Sequence, residues 1–204
     1  MNIILFSNQL ELCRAWETAF KGCEDVKILH DDFYNIATSY AIDCIVSPAN
    51  SYGLMDGGFD GVLTKYFGNQ LMERVQRDII RTYWGEQPIG TSSIIVTHND
   101  KIPYIAHSPT MKYPMVIRNT DNCYQATKAV FKSVKDFNMY NYMQNPIKTL
   151  AFTGMGTGTG QLPFNAAAKQ MRMAYNDMKK PPDQIDWAYV NDQRDRVHNS
   201  LYDY

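Results

Sequence analysis

The sequence predicts an α/β fold in which a mixed, mostly parallel β-sheet is covered by helices on both faces. Short apolar runs alternate with amphipathic helical patterns along most of the 204 residues. This is the order that builds a parallel sheet with crossover helices. Hydrophobic residues make up 45% of the chain and charged residues 20%, which is sufficient for a packed core. A chain of this length is expected to form one domain.

Six short apolar runs are the strand candidates. They are NIILF (2–6), VKIL (26–29), DCIVSP (43–48), TSSIIVTH (91–98), IPYIAHSP (102–109) and KTLAFTG (148–154). The fourth and fifth runs lie on either side of Asn-Asp-Lys, which predicts a hairpin or two closely paired strands.

Apolar side chains recur at helical spacing between these runs. The predicted helices are LELCRAWETAF (10–20), a segment starting near residue 59, NQLMERVQRDIIRTYW (69–84), a segment over 123–137 and one over 164–178. Lys-Lys-Pro-Pro-Asp (179–183) ends the last of these helices. One further short element is expected at 185–190, and the polar end, 191–204, is expected to be frayed.

The charge balance and the cysteines argue against several classes of protein. A net charge of -1 disfavours a non-specific nucleic-acid binder, which needs a basic stripe. No apolar run approaches the ~18 residues of a membrane span, and the N-terminus lacks the basic residues of a signal peptide. The four cysteines have no Cys-x-x-Cys spacing. We therefore expect a reduced, cytoplasmic protein with no metal site and no cofactor, and the sequence indicates no oligomeric state.

Two glycine-rich loops each follow an apolar run and precede a helix. The first is SPANSYGLMDGGFDG (47–61) and the second is TGMGTGTGQLP (153–163). In open α/β sheets, ligands bind beyond the carboxyl ends of the strands, where both loops are expected. One glycine loop alone is explained equally well by a tight turn, but two in this arrangement favour a binding site.

The second loop has the composition of a diphosphate cradle. Its glycines alternate with Met155, Thr157 and Thr159. Glycine lets backbone amides approach a ligand and point into one concavity, which suits phosphate oxygens. The helix that begins near Pro163 adds the positive end of its dipole. Neither loop has the lysine of a P-loop or the spacing of the dinucleotide-binding fingerprint.

The first loop offers polar side chains for a sugar. Asn50 ends the preceding strand and can both donate and accept hydrogen bonds, which suits a hydroxyl. Gly57 and Gly58 allow close approach of the backbone. Asp60 either complements the dipole of the next helix or orients a water or a ribose hydroxyl, and Asp56 could do either.

A further polar pair follows the run at 26–29. The carboxylate of Asp32 could accept a hydrogen bond from an exocyclic amine, and Phe33 could stack on a base. An aspartate at such a position is also a common turn residue or helix cap, so both interpretations of Asp31 and Asp32 stay open.

Together the two loops resemble those of the macro domain family. DCIVSPANSYGLMDGGFDGVL (43–63) resembles the family's first ligand loop, a short strand followed by V-N-A-A-N or V-N-P-A-N and a glycine cluster. FTGMGTGTGQLPFNAAAKQM (152–171) resembles its second loop, and IPYIAHSPTM (102–111) resembles the strand between them. The resemblance covers about residues 25–180, and its S-P-A-N-S and M-D-G-G forms are most similar to macro-like proteins of phages. Ser47 departs from the pattern, because many members have asparagine there.

The resemblance implies a three-layer αβα sandwich that binds ADP-ribose. It would comprise a single domain over residues 1–190 with a polar tail over 191–204. By position, Asp32 would take the adenine amine beside Phe33, and Asn50 and Asp60 would be the catalytic pair at the distal ribose. The remaining predicted binding residues are Ala49, Gly57, Gly58 and Phe59 in the first loop and Thr153, Gly154, Gly156, Thr157, Gly158, Thr159 and Gly160 in the second.

Three functions are compatible with this site. The first is a hydrolase that cleaves an ADP-ribosyl linkage or an ADP-ribose derivative, with ADP-ribose or an ADP-ribosylated molecule as its substrate. The second is a non-catalytic module that reads ADP-ribosylated targets or sequesters an NAD-derived signal. The third is a structural component in which the loops are vestiges. Loss of turnover with retained affinity after substitution of Asp60 would distinguish an enzyme from a binder.

Overall fold

The computed structural model describes residues 1–140 and 145–201, in which six strands and seven helices follow one another. The strands are β1 (Asn2–Ser7), β2 (Val26–His30), β3 (Cys44–Asn50), β4 (Ser93–Val96), β5 (Tyr104–Met111) and β6 (Thr149–Phe152). The helices are α1 (Leu10–Ala19), α2 (Phe33–Ser39), α3 (Gly58–Phe67), α4 (Gln70–Tyr83), α5 (Asn122–Tyr140), α6 (Phe164–Lys179) and α7 (Trp187–Ser200).

The strands form one sheet in the order β2-β1-β6-β3-β5-β4. β1 runs parallel to β2 and β6, and β3 runs parallel to β6 and β5. Of these strands only β4, at the edge, is antiparallel to its neighbour, β5. The predicted mixed, mostly parallel sheet is therefore confirmed, and so is the predicted pairing of the two strands around residues 99–101.

Helices cover both faces of the sheet, because successive side chains of a strand point to opposite sides. Along β1, Ile3 and Leu5 enter an apolar cluster with side chains of α1, α5 and α6. Ile4 and Phe6 enter a second cluster with side chains of α2, α3 and α4. Both clusters consist of closely packed buried side chains. The predicted three-layer αβα sandwich is confirmed.

The C-terminal end differs from the prediction. Residues 187–200 form one helix, so a frayed end is wrong for residues 191–200, and residues 202–204 lie outside the described part of the chain. The Asp186 side chain caps this helix at the Tyr189 N–H, and Arg196 pairs with Asp177 of α6. Neither the local cap nor the contact between α6 and α7 is visible as an apolar pattern. The division at residue 190 stays a prediction, and it falls within α7.

The parallel arrangement places several strand ends at one edge of the sheet. β3 ends at Asn50, β5 at Met111 and β6 at Phe152. The first glycine loop leads from β3 into α3, and the second leads from β6 into α6. Because β6 and β3 are neighbours, the two loops lie side by side. No helix of the described residues combines the length and the apolar character needed to cross a membrane.

Candidate functional site: a cleft between two glycine-rich loops

A cleft of about 330 Å³ lies between the two loops at the carboxyl ends of the strands. A smaller cavity of about 160 Å³ adjoins it, and the Phe59 ring lines both. The predicted residues that line the larger cleft are Ala49, Asn50, Gly57, Gly58, Phe59, Asp60, Gly154, Gly156, Gly158, Thr159 and Gly160. Those that line the smaller cavity are Asp32, Phe33, Phe59 and Thr153. Of the predicted set, Thr157 lines neither.

The second loop has a row of unpaired backbone N–H groups beside this cleft, and Gly156, Gly158, Thr159 and Gly160 line it. Among the described residues, the N–H groups of residues 156–160 have no protein acceptor, whereas those of Gln161 and Leu162 donate back to Gly158 and Gly156. Consecutive free amides in a tight loop form a concavity that binds anions. The loop can therefore hold phosphate oxygens without any lysine.

Glycine is required at particular positions of the second loop. Gly156 has a φ of 75°, which favours glycine. A Cβ on Gly160 would lie 2.4 Å from the Gly156 carbonyl oxygen, a distance that no side chain tolerates. At Gly158, by contrast, a Cβ would meet no atom within 4 Å, so this position is open. The free space beside Gly158 belongs to the cleft.

In the first loop, the Asn50 side chain fixes the backbone. Its Oδ1 accepts from the Tyr52 and Leu54 N–H groups at 3.1 and 3.3 Å, and its Nδ2 donates to the Leu54 carbonyl at 2.8 Å. An asparagine that bonds its own loop in this way replaces a backbone turn. The observed contacts give Asn50 a role in shaping the loop, and its amide also lines the cleft.

Asp60 is the ionisable group buried at this cleft. It lies in the first turn of α3 and is only 7% exposed. The Ser47 hydroxyl donates to its Oδ1 at 2.6 Å. Burial raises the pKa of Asp60 to about 6, while the hydrogen bond from Ser47 acts to lower it. A carboxyl with this pKa is mostly ionised at neutral pH and can accept a proton.

Asp32 is a helix cap at the smaller cavity, so that interpretation is confirmed, and its role toward an adenine stays a prediction. Its carboxylate caps α2 by accepting from the Asn35 N–H at 3.0 Å, and it also lines the cavity. Phe33 is 4% exposed and packs edge-on against Phe59 and Tyr66. Because Phe33 is almost fully enclosed, it can offer only a small part of its surface to a base.

The segment that follows β5 borders one side of the cleft. Met111 and Pro114 line the cleft, and the Ile117 N–H donates to the Gly160 carbonyl at 2.8 Å. The Arg118 guanidinium bonds the Gln161 carbonyl and side-chain oxygens, both at 3.1 Å, which places a cation beside the second loop. These residues are distant from both loops in sequence and have no motif of their own.

A larger cavity of about 740 Å³ lies at the opposite edge of the sheet, near the amino ends of β3, β5 and β6. Its lining includes Asp43, His98, Tyr104 and Lys148, and no glycine is among the described residues that line it. Parallel sheets bind ligands at the carboxyl ends of their strands. The smaller cleft is therefore the better candidate. Within the described residues, no group of three or more His, Cys, Asp or Glu side chains is placed to hold a metal ion.

Comparison with known sequences identifies the family. Residues 46–171 match the macro domain family, so the chain belongs to it and the predicted resemblance is confirmed. An uncharacterised protein of Aquifex aeolicus is 30% identical over 149 residues, which are 72% of this chain and 78% of that protein. The O-acetyl-ADP-ribose deacetylase of Escherichia fergusonii is 28% identical over 80% of this chain and 89% of its own length.

Solved structures confirm the fold. The macrodomain of Oceanobacillus iheyensis with ADP has a TM-score of 0.57 and 20% identity, over 71% of this chain and 72% of that chain. The macrodomain of Mycobacterium tuberculosis DarG has a TM-score of 0.56 and 17% identity, over 69% of this chain and 85% of that chain.

Proposed function

We propose that this protein binds ADP-ribose or a related NAD-derived nucleotide in the cleft and hydrolyses a bond at the distal ribose. The observation that carries the proposal is the row of backbone N–H groups at residues 156–160, which have no acceptor among the described residues, in a loop that lines the same cleft as the buried carboxyl of Asp60. The amides provide anion binding, and the carboxyl provides a proton acceptor.

The two adjoining cavities suit the parts of such a nucleotide. The row of amides accounts for the diphosphate. The smaller cavity, with Asp32 and the partly covered Phe33, offers a carboxylate and apolar surface to an adenine. The larger cleft keeps Asn50 and Asp60 near the remaining ribose. A mutant of the Oceanobacillus iheyensis macrodomain has been solved with ADPR, which supports this class of ligand.

The hydrolytic step requires an oriented water. In our proposal the Asp60 carboxylate accepts a proton from that water as its oxygen attacks the carbon at the scissile bond. The leaving oxygen or nitrogen takes up a proton from solvent. The loop amides balance the charge of the diphosphate, which fixes the ribose relative to Asp60. The name of the Escherichia fergusonii relative supports an ester of ADP-ribose as one possible substrate class.

A non-catalytic reader is the second candidate. The observation that favours it is the enclosure of Asp60, since the carboxyl is 7% exposed and one oxygen is already bonded to Ser47. A reader needs the row of amides and the cavities but no proton acceptor that reaches a water.

The test has two stages. Calorimetry with ADP-ribose, with AMP as the control ligand, measures binding; we expect ADP-ribose to bind at least about tenfold more tightly, or about 1.4 kcal/mol. Turnover of O-acetyl-ADP-ribose and of an ADP-ribosylated protein is then compared between wild type, Asp60→Asn and the control Asp183→Asn, which is exposed and lines neither cavity.

Each outcome decides between the candidates. An enzyme loses turnover in Asp60→Asn alone and keeps its affinity in both variants. A reader binds ADP-ribose but turns over neither substrate in any form. Failure to bind ADP-ribose at all would refute the ligand and both candidates.

A further inference from the structure

Ser47 makes the hydrogen bond that fixes the carboxyl of Asp60. Its Oγ lies 2.6 Å from Asp60 Oδ1, and no other hydrogen bond joins this carboxyl to the described residues. Ser47 is fully buried, and Asp60 is 7% exposed. Because both side chains are enclosed, solvent cannot readily replace this bond when it is lost.

The fold holds both partners in place. Ser47 lies in β3, where it is paired in register with His107 of β5. Asp60 lies in the first turn of α3, and the loop between them is held by the Asn50 side chain. The Thr64 hydroxyl also donates to the Met55 carbonyl at 2.7 Å, which ties α3 to the loop before it. Neither partner can move away without disturbing a strand or a helix.

We propose that Ser47 is a positioning residue for Asp60: its hydroxyl holds one carboxylate oxygen, keeps the buried carboxyl ionised and leaves the other oxygen for the ligand in the cleft. The inference rests on the proposed function, in which Asp60 acts at the distal ribose.

Two features of the surroundings act on the pKa of the Asp60 carboxyl. Burial raises its pKa and the Ser47 hydrogen bond lowers it. His107 is the nearest titratable group in the strand register, and burial lowers its pKa to about 4, so it is neutral above pH 6. Asp56, in the loop before α3, is exposed to solvent. The hydroxyl of Ser47 therefore offsets part of the effect of burial.

Ser47→Ala tests this role, with Ser108→Ala as the matched control. Ser108 is also a fully buried serine of the central sheet, but its hydroxyl bonds two backbone carbonyls, those of Thr91 and Ala126. The carboxyl of Asp60 is titrated by carbon-13 NMR in each folded variant. A hydrogen bond to a charged group of ordinary strength corresponds to about one to two pH units. We expect the pKa of Asp60 to rise by that amount in Ser47→Ala and to stay unchanged in Ser108→Ala.

A second variant and a second measurement keep the test decisive. Ser47→Cys nearly retains the side-chain volume but donates weakly, so it should shift the pKa of Asp60 in the same direction if Ser47→Ala does not fold. In turnover assays the acid limb of the pH–rate profile should move upward with the pKa, while KM stays unchanged.

The outcomes separate this inference from the proposed function. An unchanged pKa of Asp60 in folded Ser47→Ala or Ser47→Cys would overturn the role of Ser47. If the wild type turns over no substrate, the hydrolytic proposal fails, and the NMR titration still decides whether Ser47 controls the carboxyl. An equal shift in Ser108→Ala would also overturn the inference, because the effect would then be a general consequence of truncating a buried serine.

Discussion

Replacing Asp60 by asparagine should make the protein more stable at high pH. The Asp60 carboxyl is 7% exposed, and burial raises its pKa to about 6 from an ordinary value of 3.8. Asparagine has nearly the same shape and can still accept the hydrogen bond from Ser47, but it carries no charge. The substitution therefore removes the cost of ionising a buried carboxyl.

The pH dependence has a definite sign. A carboxyl whose pKa is higher in the folded state binds its proton more tightly when the protein is folded. Its contribution to stability is therefore complete at a pH below the pKa of the unfolded state and is lost as the pH rises through about 6. The rise in pKa corresponds to about 3 kcal/mol at pH 8 and about half of that at pH 5. The stability advantage of Asp60→Asn should thus grow by about 1.5 kcal/mol between these pH values.

Urea denaturation at pH 5 and pH 8 measures this change. Comparing the same variant at two pH values cancels the cost of fitting the asparagine amide, which does not titrate. The exposed Asp56→Asn in the same loop is the control and should shift stability by less than about 0.5 kcal/mol at both pH values. An advantage of Asp60→Asn that is equal at pH 5 and pH 8 would show that the carboxyl titrates normally, and our account of the buried site would be wrong.

Three further substitutions test the second loop and the C-terminal helix. Gly158→Ala places its methyl in the open cleft, so calorimetry should show at least about tenfold weaker ADP-ribose binding while the melting temperature stays unchanged. An unchanged affinity would refute the close approach of a ligand to Gly158. Gly160→Ala places its Cβ 2.4 Å from a backbone oxygen, so thermal unfolding should show that the free energy of unfolding falls by about 1–3 kcal/mol. An unaltered melting temperature would contradict a rigid loop at this position. Burial raises the pKa of Asp177, but hydrogen bonds, including one from Lys128, outweigh burial and leave the pKa lowered. Ionised Asp177 therefore stabilises the fold at a pH above the pKa of the unfolded state, and this stabilisation is lost as the pH falls through the pKa of the folded state. Asp177→Asn also removes the ion pair between Asp177 and Arg196, so stability near neutral pH should fall by about 1–2 kcal/mol, with faster hydrogen exchange in α7. Exchange as slow as in wild type would show that α7 is held by other contacts.

The parts of the fold that depend on local pattern could be predicted from the sequence. The apolar runs at 2–6 and 148–154 became β1 and β6, and the apolar stripe over 123–137 became part of α5. The extent of α7 beyond the short element expected at 185–190 was missed, because its polar side chains show no apolar stripe. The phage-type form of the first loop and the division at residue 190 stay predictions.

In the candidate site, too, some features could be predicted from the local sequence and others could not. Glycine spacing in the second loop predicted a row of amides, because φ preference and the absence of a Cβ are local properties. The interpretation of Asn50 as a sugar ligand did not foresee that its side chain bonds its own loop. Arg118 was also not assigned to the site, since only the tertiary structure brings it beside the second loop.

The sequence by itself determined the alternation of strands and helices, the two glycine loops and the family resemblance, because each depends on residue types at fixed local spacing. Tertiary structure alone decided the state of Asp60. Its burial and its bond to Ser47 arise where α3 packs on β3 across 13 residues of chain. The pKa of a carboxyl depends on the solvent and the donors around it, and these are set by packing.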